Sequence, residues 1–209
     1  MAPEALTADR LHRDIKALIL RGYFGAGLPL TVHAMAEAFG TSISPVRDAL
    51  NRLVGQGLVE MQGGGGFAIP AITARNTFDL YALHAELIRA AVKDAESFAA
   101  VGQPSAQIVA REPDHHSVAD ATTSFFIRLA GCSSNMELQD AIKGLGERLA
   151  VRRLCEGAAK RHAAELIALW NLTEKGNKSA IQGAMWQYHR RRLLRAPEIA
   201  DAASKWMSS

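Results

Sequence analysis

The sequence predicts a mainly α-helical chain in two parts: a winged helix-turn-helix of three helices plus a two-stranded wing, then a C-terminal all-helical bundle. Two observations carry that prediction. Glycine and proline punctuate the first third densely, from Gly22, Gly25 and Gly27 through Pro29, Gly40, Pro45, Gly55 and Gly57 to a four-glycine run and Pro70. From Thr77 onward the chain reads instead as long alanine- and leucine-rich segments, broken near residues 102–104, 111–114 and 133–134 and at Gly157, Gly176 and Pro197. A chain of 209 residues holds one or two cores of ordinary size. The boundary falls after residue 72, which gives a small unit at 1–72 and a bundle at 73–209 entered through a linking helix.

Leu11, Ile15, Leu18 and Ile19 sit at helical spacing and set a first helix over residues 6–20, with Thr7 as its cap. Gly22, Gly25 and Gly27 end it, residues 28–30 read as extended, and Thr31 caps a second helix that runs to Phe39 and stops at Gly40. Residues 41–45 make a turn with Ser44 as the next cap and Pro45 at the first helical position, where a missing N–H costs nothing. The third helix turns Val46, Ala49, Leu50 and Leu53 to one apolar face and leaves Arg47, Asn51 and Arg52 on others. Two short strands, residues 58–61 and 67–70, follow around a loop of Gly63, Gly64, Gly65 and Gly66.

Composition narrows the class. Hydrophobic residues make up 48% and charged residues 22%, which excludes a chain disordered throughout. Apolar runs fall far short of the ~18–20 residues that span a bilayer, and acids precede any apolar stretch at the N-terminus, so neither a membrane span nor a signal peptide is expected. Cys132 and Cys155 lie at no metal-ligand spacing, so a reducing cytoplasmic setting fits better than a disulfide framework or zinc ribbon. A net charge of +3 argues only weakly for nucleic acid.

The order of elements argues more strongly. Helix, tight turn, helix and a glycine-tipped hairpin is the arrangement that projects one short helix into a major groove ~12 Å wide. At the start of the third helix, Ser42 and Ser44 offer hydroxyls and backbone N–H groups to a phosphate, where the helix dipole favours an anion. Arg47, one turn in, reaches base edges, and a bidentate arginine–guanine pair discriminates by ~1–3 kcal/mol. The glycines let the hairpin approach a duplex closely. Taken singly, a glycine loop is a flexible turn, a lone arginine is solvated and Ser-x-Ser-Pro is a good cap. Together, in this order, they point to double-stranded DNA.

Specific text supports the same reading: Ile19 to Gly22, Gly27 to Leu30, Met35-Ala36 to Phe39-Gly40, then Ser42-Ile43-Ser44-Pro45-Val46-Arg47-Asp48-Ala49-Leu50 with Leu53, and Gly57-Leu58-Val59. Over residues 8–70 this resembles the DNA-binding domain of the GntR superfamily of bacterial regulators. The resemblance implies DNA contacts at His33, Ser42, Ile43, Ser44, Arg47 and the wing glycines Gly63, Gly64, Gly65 and Gly66. One departure stands out: the family usually carries arginine where this chain has Ile43.

In the second half, Phe125-Phe126 to Leu129 with Ser134-Asn135 and Leu138, and Glu165, Gly176-Asn177, Ala180 and Met185 to His189, form two thinner matches. They resemble the FCD effector domain of the FadR subgroup, here shortened between Ala100 and Ser124 and degenerate. That resemblance implies a six- or seven-helix bundle that takes a small-molecule effector. In many such domains one aspartate and three histidines hold a divalent metal. The matching positions are Thr122, Phe126, Leu166 and His189, the candidate effector-binding residues. Three of the four ligands are replaced, so no metal and no other cofactor is expected; Asp120 with His189 would supply only two bonds.

Other polar groups read more plainly. Asp114-His115-His116 reads as a polar surface, His84 and His162 as packed or solvated, both cysteines as small hydrophobes, and Arg152-Arg153 and residues 189–192 as solvated helix faces, with a lesser chance that some clamp a carboxylate. No nucleophile–base pairing, paired carboxylates or nucleotide fingerprint suggests an enzyme. The expectation is a homodimeric, DNA-binding repressor tuned by a small-molecule, carboxylate-type effector, with Trp170, Trp186, Phe98 and Leu87 as candidate dimer anchors. The rival is a ligand-binding or protein-interaction module that has lost its DNA or effector response.

Overall fold

The structure, a computed structural model, describes residues 3–208. It divides into two compact units, one reaching to Ile72 together with the end of the chain from Ser204, the other Thr73–Ala203.

The first unit runs α1 (Pro3–Leu20), β1 (Pro29–Leu30), α2 (Val32–Ala38), α3 (Ile43–Gly55), β2 (Glu60–Met61) and β3 (Phe67–Ala68). α1 starts at Pro3, three residues before the expected start, so Thr7 lies within the helix and is not its cap. Leu11, Ile15 and Ile19 on α1 and Val46, Ala49, Leu50 and Leu53 on α3 are all buried where the two helices pack. Burial contributes about 1.5–3 kcal/mol for each large aliphatic side chain. The helix-spaced apolar stripes of both segments thus fix how α3 is held, more than its intrinsic propensity does.

Two local expectations change. The cap of α3 is Ser42, not Ser44, so Pro45 is the third helical residue instead of the first. The physical reason is that every N–H of a first turn lacks an intrahelical acceptor, so proline is tolerated throughout that turn. The wing also gains a strand: β1 and β2 flank β3 in an antiparallel sheet of order β1-β3-β2, with Leu30 opposite Phe67 on one side and Met61 opposite Phe67 on the other. Pro29 can occupy an edge strand because it needs no donor there.

The second unit begins with α4 (Ala74–Asp94), opened by a reciprocal cap in which Asn76 N–H donates to Thr73 Oγ1 and Thr73 N–H to Asn76 Oδ1, both at 3.1 Å. A single 3₁₀ turn at Ala99–Val101 and α5 (Ala106–Val109) follow. Then come α6 (His115–Ala130), α7 (Met136–Arg148), α8 (Ala150–Leu154), α9 (Ala159–Glu174), α10 (Lys178–Leu194) and α11 (Ala196–Trp206). Asp114, Asn135 and Asn177 accept from the first turns of α6, α7 and α10, which explains the polar punctuation between these helices. The core centres on Ile88, Phe125, Phe126, Leu166, Trp170 and Tyr188.

The arginine clusters depart from expectation: Arg152, Arg153 and Arg192 are buried, while Arg190 and Arg191 are exposed. The same holds for the expected anchors, since Trp170 and Phe98 are core residues and Leu87 is partly buried, leaving Trp186 exposed at 60%.

Candidate functional site

The two faces of α3 differ sharply at its N-terminal end. Val46, Ala49, Leu50 and Leu53 recur at i, i+3, i+4 and i+7 and are buried; Ser44, Arg47, Asp48 and Asn51 recur at the same spacing and are exposed. Ser42 and Ile43 are also exposed, so Ser42, Ile43, Ser44 and Arg47 form one continuous outward patch. Ser42 makes no side-chain cap bond, which leaves its hydroxyl and the first N–H groups of α3 open to an anion. Asp48 beside Arg47 tempers the local positive charge.

The turn before α3 is set by Gly40, whose φ of 61° lets its N–H reach Glu37 O at 3.1 Å while Thr41 N–H reaches Ala36 O at 2.9 Å. His33 is exposed on α2. At the wing tip, Gly64 and Gly65 have φ of 101° and 82°, and Gly65 N–H and Gln62 N–H donate to Gln62 O and Gly66 O at 3.1 and 2.9 Å. A methyl group at Gly63, Gly64 or Gly65 would meet nothing within 4 Å, so their surface is bare backbone that a duplex wall can approach.

The four effector positions do not form an open chamber. Phe126 and Leu166 are packed into the core, Thr122 donates its hydroxyl to Val118 O at 2.7 Å, and His189 is buried at 2% exposure. What surrounds them is a buried polar cluster. His189 Nδ1–H donates to Met185 O at 2.7 Å, so its Nε2 is the acceptor for His84 Nδ1–H at 2.8 Å. His84 Nε2 in turn faces Arg153 Nη2 at 3.4 Å. Burial, with the neighbouring His189 and Arg153, holds His84 well below the ordinary imidazole range. Burial likewise lowers His189 to about 4.

Beside this chain of imidazoles lies Glu156, fully inside the unit. Arg192 Nε and Nη2 donate to its Oε2 at 2.9 and 2.8 Å, His162 Nε2 lies 2.9 Å from the same oxygen, and Tyr81 donates to Oε1 at 2.6 Å. Burial alone would raise this carboxyl, but Arg192, His162 and Tyr81 together hold it well below the usual range. Arg153 is 2% exposed and donates to Thr123 Oγ1 at 2.6 Å above the Phe126 ring; its Nε has no partner among the described residues. Glu156, Tyr81, His84, His162, Arg153 and Arg192 were not foreseen as a set in the sequence. On α10 a signal was available, because Ile181, Met185, Tyr188, His189 and Arg192 follow helical spacing, which puts both polar residues on the buried stripe. No three His, Cys, Asp or Glu side chains come together as a metal would require among the described residues.

Residues 7–69 match the family model described as bacterial regulatory proteins, gntR family. The first unit thus matches the gntR-type winged helix-turn-helix, a module of bacterial regulatory proteins. An 84-residue stretch is 30% identical to YdhC, an HTH-type transcriptional regulator of Bacillus subtilis (strain 168), and spans 40% of this chain and 38% of that one. A longer stretch of 151 residues, 66% of this chain, is 28% identical to the Nta operon transcriptional regulator of Aminobacter aminovorans and covers 70% of it. In fold, the chain is similar to E. coli McbR/YncC, with a TM-score of 0.67 at 18% identity over 94% of this chain and 98% of that one. It is equally similar to a GntR regulator from Rhodococcus sp. RHA1, with a TM-score of 0.68 at 16% identity over 97% and 98%. No helix among the described residues is long and apolar enough to cross a membrane.

Proposed function

We propose that this chain is a homodimeric repressor that reads a short two-fold-symmetric operator with α3 and the wing of each protomer, and that a small molecule bound by the helical unit modulates that binding. The observation that carries the reading is the outward patch of Ser42, Ile43, Ser44 and Arg47 on a helix whose opposite face is locked by α1. Phosphates would meet the open N–H groups and hydroxyls at the start of α3, Arg47 would read a base edge, and His33 with Gly63, Gly64, Gly65 and Gly66 would flank the duplex. A single winged domain makes few base contacts, so two of them linked in one dimer gain affinity through effective concentration. Exposed Trp186, beside the small residues Ala82, Ala85 and Gly183 on the α4–α10 face, is the anchor that supports a dimer contact.

The effector response needs no metal in this reading, because Phe126 and Leu166 offer no donor atom where the resemblance calls for ligands, and Thr122 is committed to Val118 O. The chain acts as a cytoplasmic binding protein and not as an enzyme. Selection of bound duplexes from a random pool tests the proposal: inverted half-sites about one helical turn apart are expected, and a pool without enrichment refutes it. The exposed apolar Ile43, where an arginine is usual, favours the rival reading of a protein-interaction module, which the same selection excludes if a defined operator emerges.

A further inference from the structure

The N-terminal end of α9, the last turns of α10 and the start of α11 enclose a cavity of about 470 Å³, within the usual range for small-molecule sites. Arg161, Arg191, Arg192 and Arg195 line it, together with His162 and the carboxylates Glu156 and Glu165. The carboxylates are already satisfied. Glu156 is held by Arg192, His162 and two tyrosines, and Glu165 by Arg191 and by Arg192, whose Nη1 donates at 2.9 Å.

Among the cations, Arg191 and Arg192 are spent on these carboxylates, but Arg161 and part of Arg195 are not. Arg161 is exposed and makes no hydrogen bond or ion pair among the described residues. Arg195 donates Nη1 to Glu156 O at 2.7 Å and Nε to Glu198 at 2.8 Å, which leaves its second terminal nitrogen over. His162 is 5% exposed, and with Nε2 turned to Glu156 its Nδ1 has no hydrogen-bond partner among the described residues. The start of α9 adds open backbone donors, since its cap is Ala158, which offers no side-chain acceptor.

We propose that this cavity binds a small organic oxyanion, a carboxylate or a phosphate ester, through Arg161 and Arg195 at its rim and His162 at its floor. Planar guanidinium forks match the paired oxygens of both groups, and four guanidiniums against the carboxylates of Glu156, Glu165 and Glu198 leave one positive charge in excess, that of Arg161. None of Thr122, Phe126, Leu166 or His189 lines this cavity, which adjoins those positions where His162 Nε2 lies 3.4 Å from Thr122 Oγ1. The site supplies a ligand class for the effector response proposed above, and only its regulatory consequence rests on that reading.

The test is thermal unfolding of the full chain in succinate, citrate, glucose 6-phosphate and inorganic phosphate, with ionic strength held constant by sodium chloride. A saturable rise in melting temperature is expected with at least one probe. Arg161→Gln should weaken the midpoint about tenfold and Arg161→Glu abolish it, while Lys160→Glu, which makes the same charge change next door but outside the cavity, leaves it intact. Saturation by succinate or citrate alone identifies a carboxylate site, and saturation by the phosphates alone identifies a phosphate site. No saturation by any of the four, or equal saturation in Arg161→Glu, overturns the proposal. Operator affinity measured alongside separates the two readings: an anion that saturates without changing it leaves the site standing and removes the effector role, whereas intact operator binding with no anion response removes the site alone.

Discussion

His84 Nδ1 lies 2.8 Å from His189 Nε2 in the buried interior of the helical unit, and both imidazoles are shielded from bulk solvent that would stabilise a charge. The geometry requires both rings to be neutral, with His189 Nδ1–H committed to Met185 O and Arg153 already next to His84. Protonating either one would place a new positive charge against a buried guanidinium.

Acid should therefore destabilise this unit. Both histidines have folded-state pKa values below the unfolded value of 6.5, so the unfolded chain binds the extra protons and stability is lost as pH falls below 6.5, for His189 down to about 4. The expected loss is of the order of 1 kcal/mol per pH unit for each group in that window. Urea denaturation at pH 7, 5.5 and 4.5 measures it, and His189→Asn should flatten the profile.

Glu156 and Arg192 should be worth more together than either is alone. Arg192→Met leaves the buried Glu156 without its guanidinium and is expected to cost about 3–5 kcal/mol, whereas Glu156→Gln costs less because Arg192 keeps Glu165. The double variant Glu156→Gln/Arg192→Met should cost less than the sum of the two single variants, a coupling that a double-mutant cycle by chemical denaturation reads directly.

Arg47→Ala should weaken operator binding by ~1–3 kcal/mol and relax sequence preference at one base pair of each half-site. Its side chain is exposed, so melting temperature should be unchanged. Fluorescence anisotropy on the selected duplex and its single-base variants is the check.

Ile43→Arg restores the cation that the GntR resemblance places at the start of α3. Ile43 is 37% exposed at the first helical position, where the change disturbs no core packing. Affinity should rise on any duplex, and the slope of log affinity against log salt should steepen by about 0.9 for each additional phosphate that a protomer neutralises.

The first unit was legible in the sequence because its signals are local. The stripe Val46, Ala49, Leu50 and Leu53 gives α3, and Gly40 gives the turn before it. Residues 28–30 read as extended, but their place as a third strand of the wing was not legible, since two residues, Pro29 and Leu30, carry no alternation and are defined as a strand only by pairing with β3. The cap of α3 was displaced by two residues because Ser42 and Ser44 are equally good caps and proline fits anywhere in the first turn.

The polar cluster of the helical unit was hidden for a different reason. Arginines, histidines and a glutamate are read as surface residues unless a partner is known, and Glu156 meets Tyr81 and Arg192 across 75 and 36 residues of sequence. Their identity as neighbours exists only in the fold. The helical spacing of His189 and Arg192 with Met185 and Tyr188 was the one trace left in one dimension.

Whether the outward face of α3 meets a duplex has one decisive readout: the salt dependence of binding to a selected operator, followed by fluorescence anisotropy between about 50 and 200 mM salt. A linear fall in log affinity with log salt, made weaker overall by Arg47→Ala and steeper by Ile43→Arg, is expected. Binding that is flat with salt and indifferent to both substitutions would rule that contact out.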